Sequence, residues 1–317
     1  MDTTETPVTT PKLPPELERM VFEMAARTYP AGILPLMLVA WRVKYWVEPF
    51  LYRVIHLSPH PGRQHYGFPL MPLESLLKIV LNQEDPKSRS FCEAVEYVFL
   101  EEILIDPISP ILDAILRACP KITDFFTRRP IGSNLEALAS LRCLRRLAID
   151  TYNLFSNSSP ITPIAPAAAN FAHPLFRNLT HLELTDLPAR HGSGSLHRSA
   201  FYAQLILIPE LTHISFNSAA LAIGIHPTLA KIKTLRCIVI LGLPLRPHES
   251  ELNSSSLIPD DRFVYIRQTD FQRDWFDCAK GGGGYWGIAE VFLAARRKGD
   301  VDRATYLISD KDSRWRE

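Results

Sequence analysis

The sequence has few of the residues that build disulfide or metal frameworks. It contains five cysteines, at positions 92, 119, 143, 237 and 278, and no two of them form a C-x-x-C pair. An odd and scattered set argues against a disulfide framework and against a tetrahedral zinc site. We therefore expect small buried thiols in a reducing compartment, with no structural metal and no cofactor.

The sequence also lacks a charge imbalance and a long hydrophobic run. Its formal net charge is +1, so no overall field attracts nucleic acid or an anionic membrane. The apolar run from Ile33 to Trp41 is too short to cross a bilayer. Residues 1–12 lack the basic start and the apolar middle of a secretion signal. These absences predict a cytoplasmic or nuclear protein that binds neither nucleic acid nor membrane.

The first strong pattern is an amphipathic helix near the N-terminus. Pro14 and Pro15 suit the first helical positions, where a missing N–H costs nothing. Glu16 and Glu18 place negative charge in the first turn, which suits the helix dipole. Apolar residues then recur at i, i+3, i+4 and i+7 and form one stripe: Leu17, Met20, Val21 and Met24. A Tyr-Pro-Ala-Gly breaker ends this helix, and two more apolar segments follow.

Over residues 13–57 the order of residues resembles the F-box, a three-helix module that docks on a Skp-type adaptor in cullin ubiquitin ligases. The residues that carry the resemblance are Leu13, Pro14, Glu16, Leu17, Val21, Phe22, Leu38, Val39, Trp41, Trp46, Leu51 and Tyr52. The resemblance implies that all of these except the last two bind the adaptor. Ala40 is a departure, since many F-boxes carry Cys or Ser there. A plain helical cap on a repeat array gives a similar pattern, because terminal repeats need a cover.

The middle of the chain contains six segments that share one apolar pattern. They start at Val95, Ile122, Leu144, Leu179, Leu211 and Leu235. Positions one, four and six of each segment are apolar, except Thr127, which resembles the strand of a leucine-rich repeat. Helix-like runs at 110–117 and 135–140 favour a strand-plus-helix solenoid with parallel strands. The starts are 22 to 35 residues apart and the repeat family's asparagine is absent, so an irregular α/β domain stays an alternative.

The same segments predict a binding surface. Positions four and six point inward, so positions three, five and seven are expected on the concave side. Aromatic residues beside charges are typical of a protein-recognition surface. We predict that the target protein contacts Tyr97, Phe99, Glu101, Asp124, Phe126, Arg128, Arg146, Asp150, His181, Glu183 and His213. In the last segment Cys237, Val239 and Leu241 are apolar, so the C-terminal segment is predicted to cover them.

No segment is well suited to catalysis. The HGSGS segment is not G-x-S-x-G, so a glycine-rich turn is favoured over a hydrolase built on Ser193 or Ser195. His181 and His213 share one repeat position, but no third metal ligand has a fitting spacing. Lys280 precedes four glycines instead of following them, which favours a hinge between helices over a phosphate loop. We predict no catalytic residue and no metal site.

The predicted fold is α/β, with an N-terminal three-helix F-box-like module, an irregular leucine-rich-repeat-like solenoid and a C-terminal helical cap. The expected parts are a disordered tail (1–12), the module (13–57), the array (58–259) with an insertion (151–174), and a last strand with the cap (260–317). The chain resembles fungal F-box-like proteins, which implies a non-catalytic ubiquitin-ligase adaptor that holds a target on its repeat surface. The alternative is an interaction scaffold whose F-box-like cap no longer meets a ligase.

Overall fold

One nine-stranded parallel sheet organises the chain. The computed structural model describes residues 13–58, 66–68, 71–101, 109–128, 130–150, 154–155, 170–185, 201–217, 219–242, 260–267 and 270–308. Within these residues the protein is α/β, and its sheet runs in chain order from the first strand to the ninth. The predicted disordered tail, the HGSGS segment and most of the predicted insertion lie outside the described residues.

The helices and strands alternate over most of the described chain. The α-helices are α1 (Pro15–Thr28), α2 (Ile33–Met37), α3 (Trp41–Val47), α4 (Leu73–Leu81), α5 (Pro86–Ala94), α6 (Ser109–Ala118), α7 (Leu135–Ala139), α8 (Ala219–Leu229), α9 (Phe271–Ala279) and α10 (Gly284–Lys298). The strands are β1 (Val54–Leu57), β2 (Tyr97–Leu100), β3 (Asp124–Thr127), β4 (Arg146–Ile149), β5 (His181–Leu184), β6 (His213–Phe216), β7 (Cys237–Gly242), β8 (Phe263–Arg267) and β9 (Leu307–Ile308). The predicted helix-like runs correspond to α6 and α7.

The strands stack in the register that the six repeated segments predict. The third positions of all six segments form one row of paired residues: Tyr97, Asp124, Arg146, His181, His213 and Cys237. The carbonyl oxygen before a strand accepts from two successive N–H groups of the next segment. The Thr180 oxygen, for example, lies 3.0 Å from the Thr212 nitrogen and 2.9 Å from the His213 nitrogen. The predicted parallel stacking is therefore confirmed.

Helices cover both faces of the sheet. On one face, positions four and six of the repeated segments pack under helices α4 to α8, as Val98, Leu100 and Phe125 do. On the other face, α9 packs over β1 to β4 and α10 packs over β7 and β8. Strand β7 is buried at all six positions, which is why its sequence is apolar throughout. The prediction that the C-terminal segment covers the last repeated segment is confirmed.

The predicted boundaries are corrected at two places. The N-terminal helices end at Leu51, after a short 3-10 turn, and do not extend to residue 57. Val54–Leu57 is instead strand β1, because its four buried positions pair with β2 at the start of the sheet. The strand expected near residue 264 is β8, as predicted, but β9 was not predicted. Two residues carry too little pattern to mark a strand.

Candidate docking site

Helices α1, α2 and α3 form a small module with its own core. Four fully buried side chains make this core: Ala26, Ile33, Val43 and Val47. Phe22 and Trp46, two of the predicted adaptor-binding residues, pack against it and are half-buried. This core uses only part of the module's apolar side chains.

Eleven other large apolar side chains of the module are exposed, and we call this set the docking face. Its members are Leu13, Leu17, Met20, Val21, Met24, Tyr29, Leu34, Leu38, Val39, Trp41 and Tyr45. Leu38 is 87% exposed and Trp41 is 79% exposed, so neither contributes to the core of this chain. Large exposed apolar patches are rare on monomeric proteins, and they mark interaction sites when they occur.

The direction of α1 explains why so much apolar surface faces solvent. At 100° per residue, Ala26 lies about 180° around the helix from Leu17. Ala26 is buried in the module core, so the stripe that contains Leu17 and Val21 points outward. The helical period therefore predicted the stripe correctly. It carried no information on which side of α1 the rest of the chain lies.

Most of the predicted adaptor-binding residues are accessible to a partner. Six belong to the docking face: Leu13, Leu17, Val21, Leu38, Val39 and Trp41. Pro14 and Glu16 are exposed at the start of α1. Contact between these residues and an adaptor stays a prediction.

Five members of the docking face were not predicted as site residues. They are Met20, Tyr29, Met24, Leu34 and Tyr45. The two methionines share the stripe of α1, so the helical period could have identified them. No sequence pattern distinguishes the other three from core residues.

An ion pair fixes α1 against α3 beside the docking face. Arg42 donates from Nη2 to Glu18 Oε1 at 2.8 Å and from Nε to Glu18 Oε2 at 3.1 Å. This bidentate contact raises the pKa of Arg42. Lys44 lies over the Trp41 ring, with Nζ 5.4 Å from its centroid. The paired fork of the guanidinium holds two helices in one orientation, so a partner meets a surface that is already arranged.

The predicted target-binding residues lie on the expected face of the sheet, but that face is covered. Seven of them are buried: Phe99, Glu101, Asp124, Phe126, Asp150, Glu183 and His213. Tyr97, Arg146 and His181 are half-buried, and Arg128 is exposed. The expectation of an open recognition surface is therefore corrected. Long-range packing covers this surface, because α9 and α10 lie across the sheet face that carries positions three, five and seven of the segments.

The size of this contact shows that the cover is part of the core. Six large side chains of α9 and α10 are buried against the sheet: Trp275, Phe276, Tyr285, Trp286, Phe292 and Leu293. At about 1.5–3 kcal/mol for each one, their burial contributes on the order of 10 kcal/mol. Phe99 and Phe126 are each 1% exposed beneath this cover, so they are core residues.

A buried polar contact joins α10 to the middle of the sheet. The Tyr285 hydroxyl donates to Glu183 Oε2 at 2.7 Å and lies 3.0 Å from Ser215 Oγ. Burial raises the pKa of Glu183 to about 8, despite the hydrogen bond from Tyr285. Burial also raises the pKa of Tyr285. Both groups are therefore protonated at pH 7, since burial disfavours their charged forms.

Two histidines beside this contact are also uncharged. The rings of His181 and His213 stack with centroids 4.1 Å apart, and the Trp286 ring meets His181 edge-on. His213 Nε2 is 3.0 Å from Glu290 Oε1 on α10. Burial lowers the pKa of His181 to about 2, and it lowers the pKa of His213 against the opposing effect of Glu290. Repeat equivalence brings the two rings together, as the sequence predicted.

The cavity that the described residues form under the cover is too small for an organic ligand. A cavity of about 30 Å³ lies between the sheet and α9 and α10, and Asp124, Arg146, His181, Glu183 and Cys278 line part of it. This volume suits a water molecule or two and excludes an organic ligand.

In the described ranges, no group of three or more His, Cys, Asp or Glu side chains is placed to hold a metal ion. A search of the described helices finds none with the length and hydropathy of a membrane span.

Lys280 and the three glycines after it connect α9 to α10, and Gly284 is the first residue of α10, so the segment lies between two helices as the sequence predicted. Ser193 and Ser195 lie outside the described residues. Comparison with models of known protein families, with curated proteins and with solved structures finds no match to this chain.

Proposed function

We propose that this protein is a non-catalytic adaptor that docks on a Skp-type subunit of a ubiquitin ligase through α1, α2 and α3. One observation carries the proposal: the residues that resemble an F-box in order also supply most of an exposed apolar face. A structural cap would bury those side chains against the neighbouring strands. Here the module buries four side chains in a core of its own, and it leaves Leu38 and Trp41 exposed to solvent.

The action we propose needs no bond chemistry from this chain. Docking buries the apolar face against the partner, which supplies the driving force for association. The sheet domain then holds a target protein near the ligase and so raises its effective concentration there. Because α9 and α10 cover one sheet face and α4 to α8 cover the other, the target contacts the helices, loops and edges of the domain.

The test compares capture of full-length variants by an immobilised, purified Skp-type adaptor. Leu38→Ala with Trp41→Ala removes two side chains of the docking face that contribute nothing to the core. Leu81→Ala with Val291→Ala is the matched control, since both are exposed apolar residues, on α4 and α10. We expect wild type and control to be captured and the docking-face variant to be lost, with equal melting temperatures for all three.

Equal capture of all three proteins would contradict the proposal. So would a failure of the adaptor to capture wild type, and that result would favour the alternative of an interaction scaffold without a ligase.

A further inference from the structure

We propose that Met20 and Met24 form an oxidation-sensitive pair in the docking face, and that a peroxide converts their thioethers to sulfoxides and weakens docking. The inference rests on the proposed function, because it concerns the regulation of the same surface.

The two side chains are neighbours on α1. They are four residues apart, so they lie one turn apart on the same face of the helix, in the stripe that also contains Leu17 and Val21. Met20 is 63% exposed and Met24 is 64% exposed. Their side chains are therefore open to a small oxidant in the free protein and are covered when a partner occupies the docking face.

The other methionines in the described ranges are better protected. Met37 packs against the core of the module, and Met71 packs against the main core of the sheet domain. Both are half-buried. Since oxidation depends on access to the sulfur atom, we expect Met20 and Met24 to react before Met37 and Met71.

The reaction is balanced with hydrogen peroxide as the named oxidant. A lone pair of the thioether sulfur attacks one peroxide oxygen, and the O–O bond breaks. The sulfur keeps that oxygen as a sulfoxide and is oxidised by two electrons. The other oxygen leaves as hydroxide and takes the proton from the oxygen now bound to sulfur, which gives water, so one peroxide is consumed for each methionine.

Oxidation to the sulfoxide makes it less favourable to bury these two side chains in an interface. A thioether loses little on entering an apolar interface, whereas a sulfoxide oxygen is a strong hydrogen-bond acceptor that is hydrated in water. Docking removes that water, and the adjacent side chains Leu17 and Val21 have no donor to replace it. Two sulfoxides in one stripe should therefore weaken capture by about tenfold or more.

The experiment treats the full-length chain with hydrogen peroxide and measures both modification and docking. Peptide mass spectrometry gives the oxidised fraction of each methionine. Titration against a purified Skp-type adaptor gives the affinity before oxidation, after oxidation, and after treatment with methionine sulfoxide reductases. The Met20→Leu, Met24→Leu variant is the matched control, because it keeps the apolar stripe and retains the exposed Cys143.

We expect Met20 and Met24 to oxidise first, affinity to fall about tenfold or more, and the reductases to restore it. The leucine variant is compared with its own untreated form, and we expect peroxide to leave its affinity unchanged. If oxidised wild type binds as tightly as untreated protein, the inference is overturned and the docking proposal stands. If the leucine variant loses as much affinity as wild type, another site is responsible and the inference also fails. If untreated wild type does not bind, the proposed function fails, and the regulatory role fails with it.

Discussion

At the scale of single residues, the turn between α9 and α10 shows why four glycines follow Lys280. Gly281, Gly283 and Gly284 all have positive φ, of 87°, 75° and 52°. A Cβ on Gly284 would collide with Cys278 Sγ and would lie 2.8 Å from the Asp274 carbonyl oxygen. The glycines thus let the chain reverse tightly enough for both helices to cover one sheet.

We expect Gly284→Ala to lower the free energy of unfolding by roughly 2 kcal/mol or more, through the left-handed backbone and the collision. Gly224→Ala is the matched control, because a Cβ there meets nothing within 4 Å inside α8. The control should stabilise the protein by about 0.5–1 kcal/mol, since alanine favours a helix. Urea unfolding followed by circular dichroism measures both. A Gly284→Ala protein as stable as wild type would refute this account of the turn.

Aromatic residues give a second contrast at this scale. Phe126 is 1% exposed and stacks on Phe99 with ring centroids 4.3 Å apart. We expect Phe126→Ala to cost about 3–5 kcal/mol of unfolding free energy, as other deletions of a buried ring do. Trp41→Ala, in an exposed position, should change it by less than about 0.5 kcal/mol. Guanidinium unfolding measures both variants. If both lose a similar amount of unfolding free energy, the assignment of Phe126 to the core and of Trp41 to the surface is wrong.

At the scale of elements, α10 makes stability depend on pH through Glu183 and His181. Glu183 of β5 faces Tyr285 of α10 and Ser215 of β6, and it also feels the charges of Asp274 and Arg128. Its folded pKa of about 8 is above its ordinary value of 4.5. Between those values the folded state binds one more proton than the unfolded state, so stability falls as the pH rises.

His181 has the opposite effect. Its neighbours are His213, Arg146 and Trp286, and burial places its pKa at about 2 in the folded state, against an ordinary value of 6.5. Between those values the unfolded state binds the extra proton, so stability rises with pH. The two effects cancel between pH 4.5 and 6.5. Between about pH 2 and 4.5, and between pH 6.5 and about 8, one group acts alone and each pH unit changes the unfolding constant by about tenfold.

We therefore predict a flat maximum of stability near pH 4.5–6.5 from this pair, with a fall on either side. Glu183→Gln should make the fall between pH 6.5 and 8 shallower. His181→Gln should make the fall below pH 4.5 shallower, and the lowered pKa values of His213 and Asp260 leave part of that fall in place. Midpoints of urea unfolding at half-unit pH intervals measure these slopes. Slopes that are unchanged in both variants would show that the two groups do not titrate as stated.

At the scale of the whole molecule, the parts that could be predicted from the sequence are those set by local patterns. Each of the six repeated segments shows its alternation of apolar positions within seven residues. The strands, their register and their parallel order could therefore be predicted. The extent of the cover could not be predicted, because it depends on contacts of Trp275 and Phe276 with Phe99 and Phe126, which lie about half the chain away in sequence. Strand β1 was missed because its apolar run continues a helical pattern without a break.

The docking face, too, could be predicted only as far as local sequence patterns define it. Spacing identified the stripe of α1, and the resemblance to an F-box proposed its use. Neither could show that Ala26, on the other side of α1, points to the core. Tyr29, Leu34 and Tyr45 carry no local signal, because an exposed and a buried aromatic or leucine look alike in sequence.

Hydrogen exchange of the full-length chain, with and without a purified Skp-type adaptor, tests whether the adaptor docks on α1, α2 and α3. We expect slower exchange in these three helices when the adaptor is bound, with strands β2 to β7 unchanged. Unchanged exchange in the three helices, or protection confined to the sheet domain, would contradict this proposal.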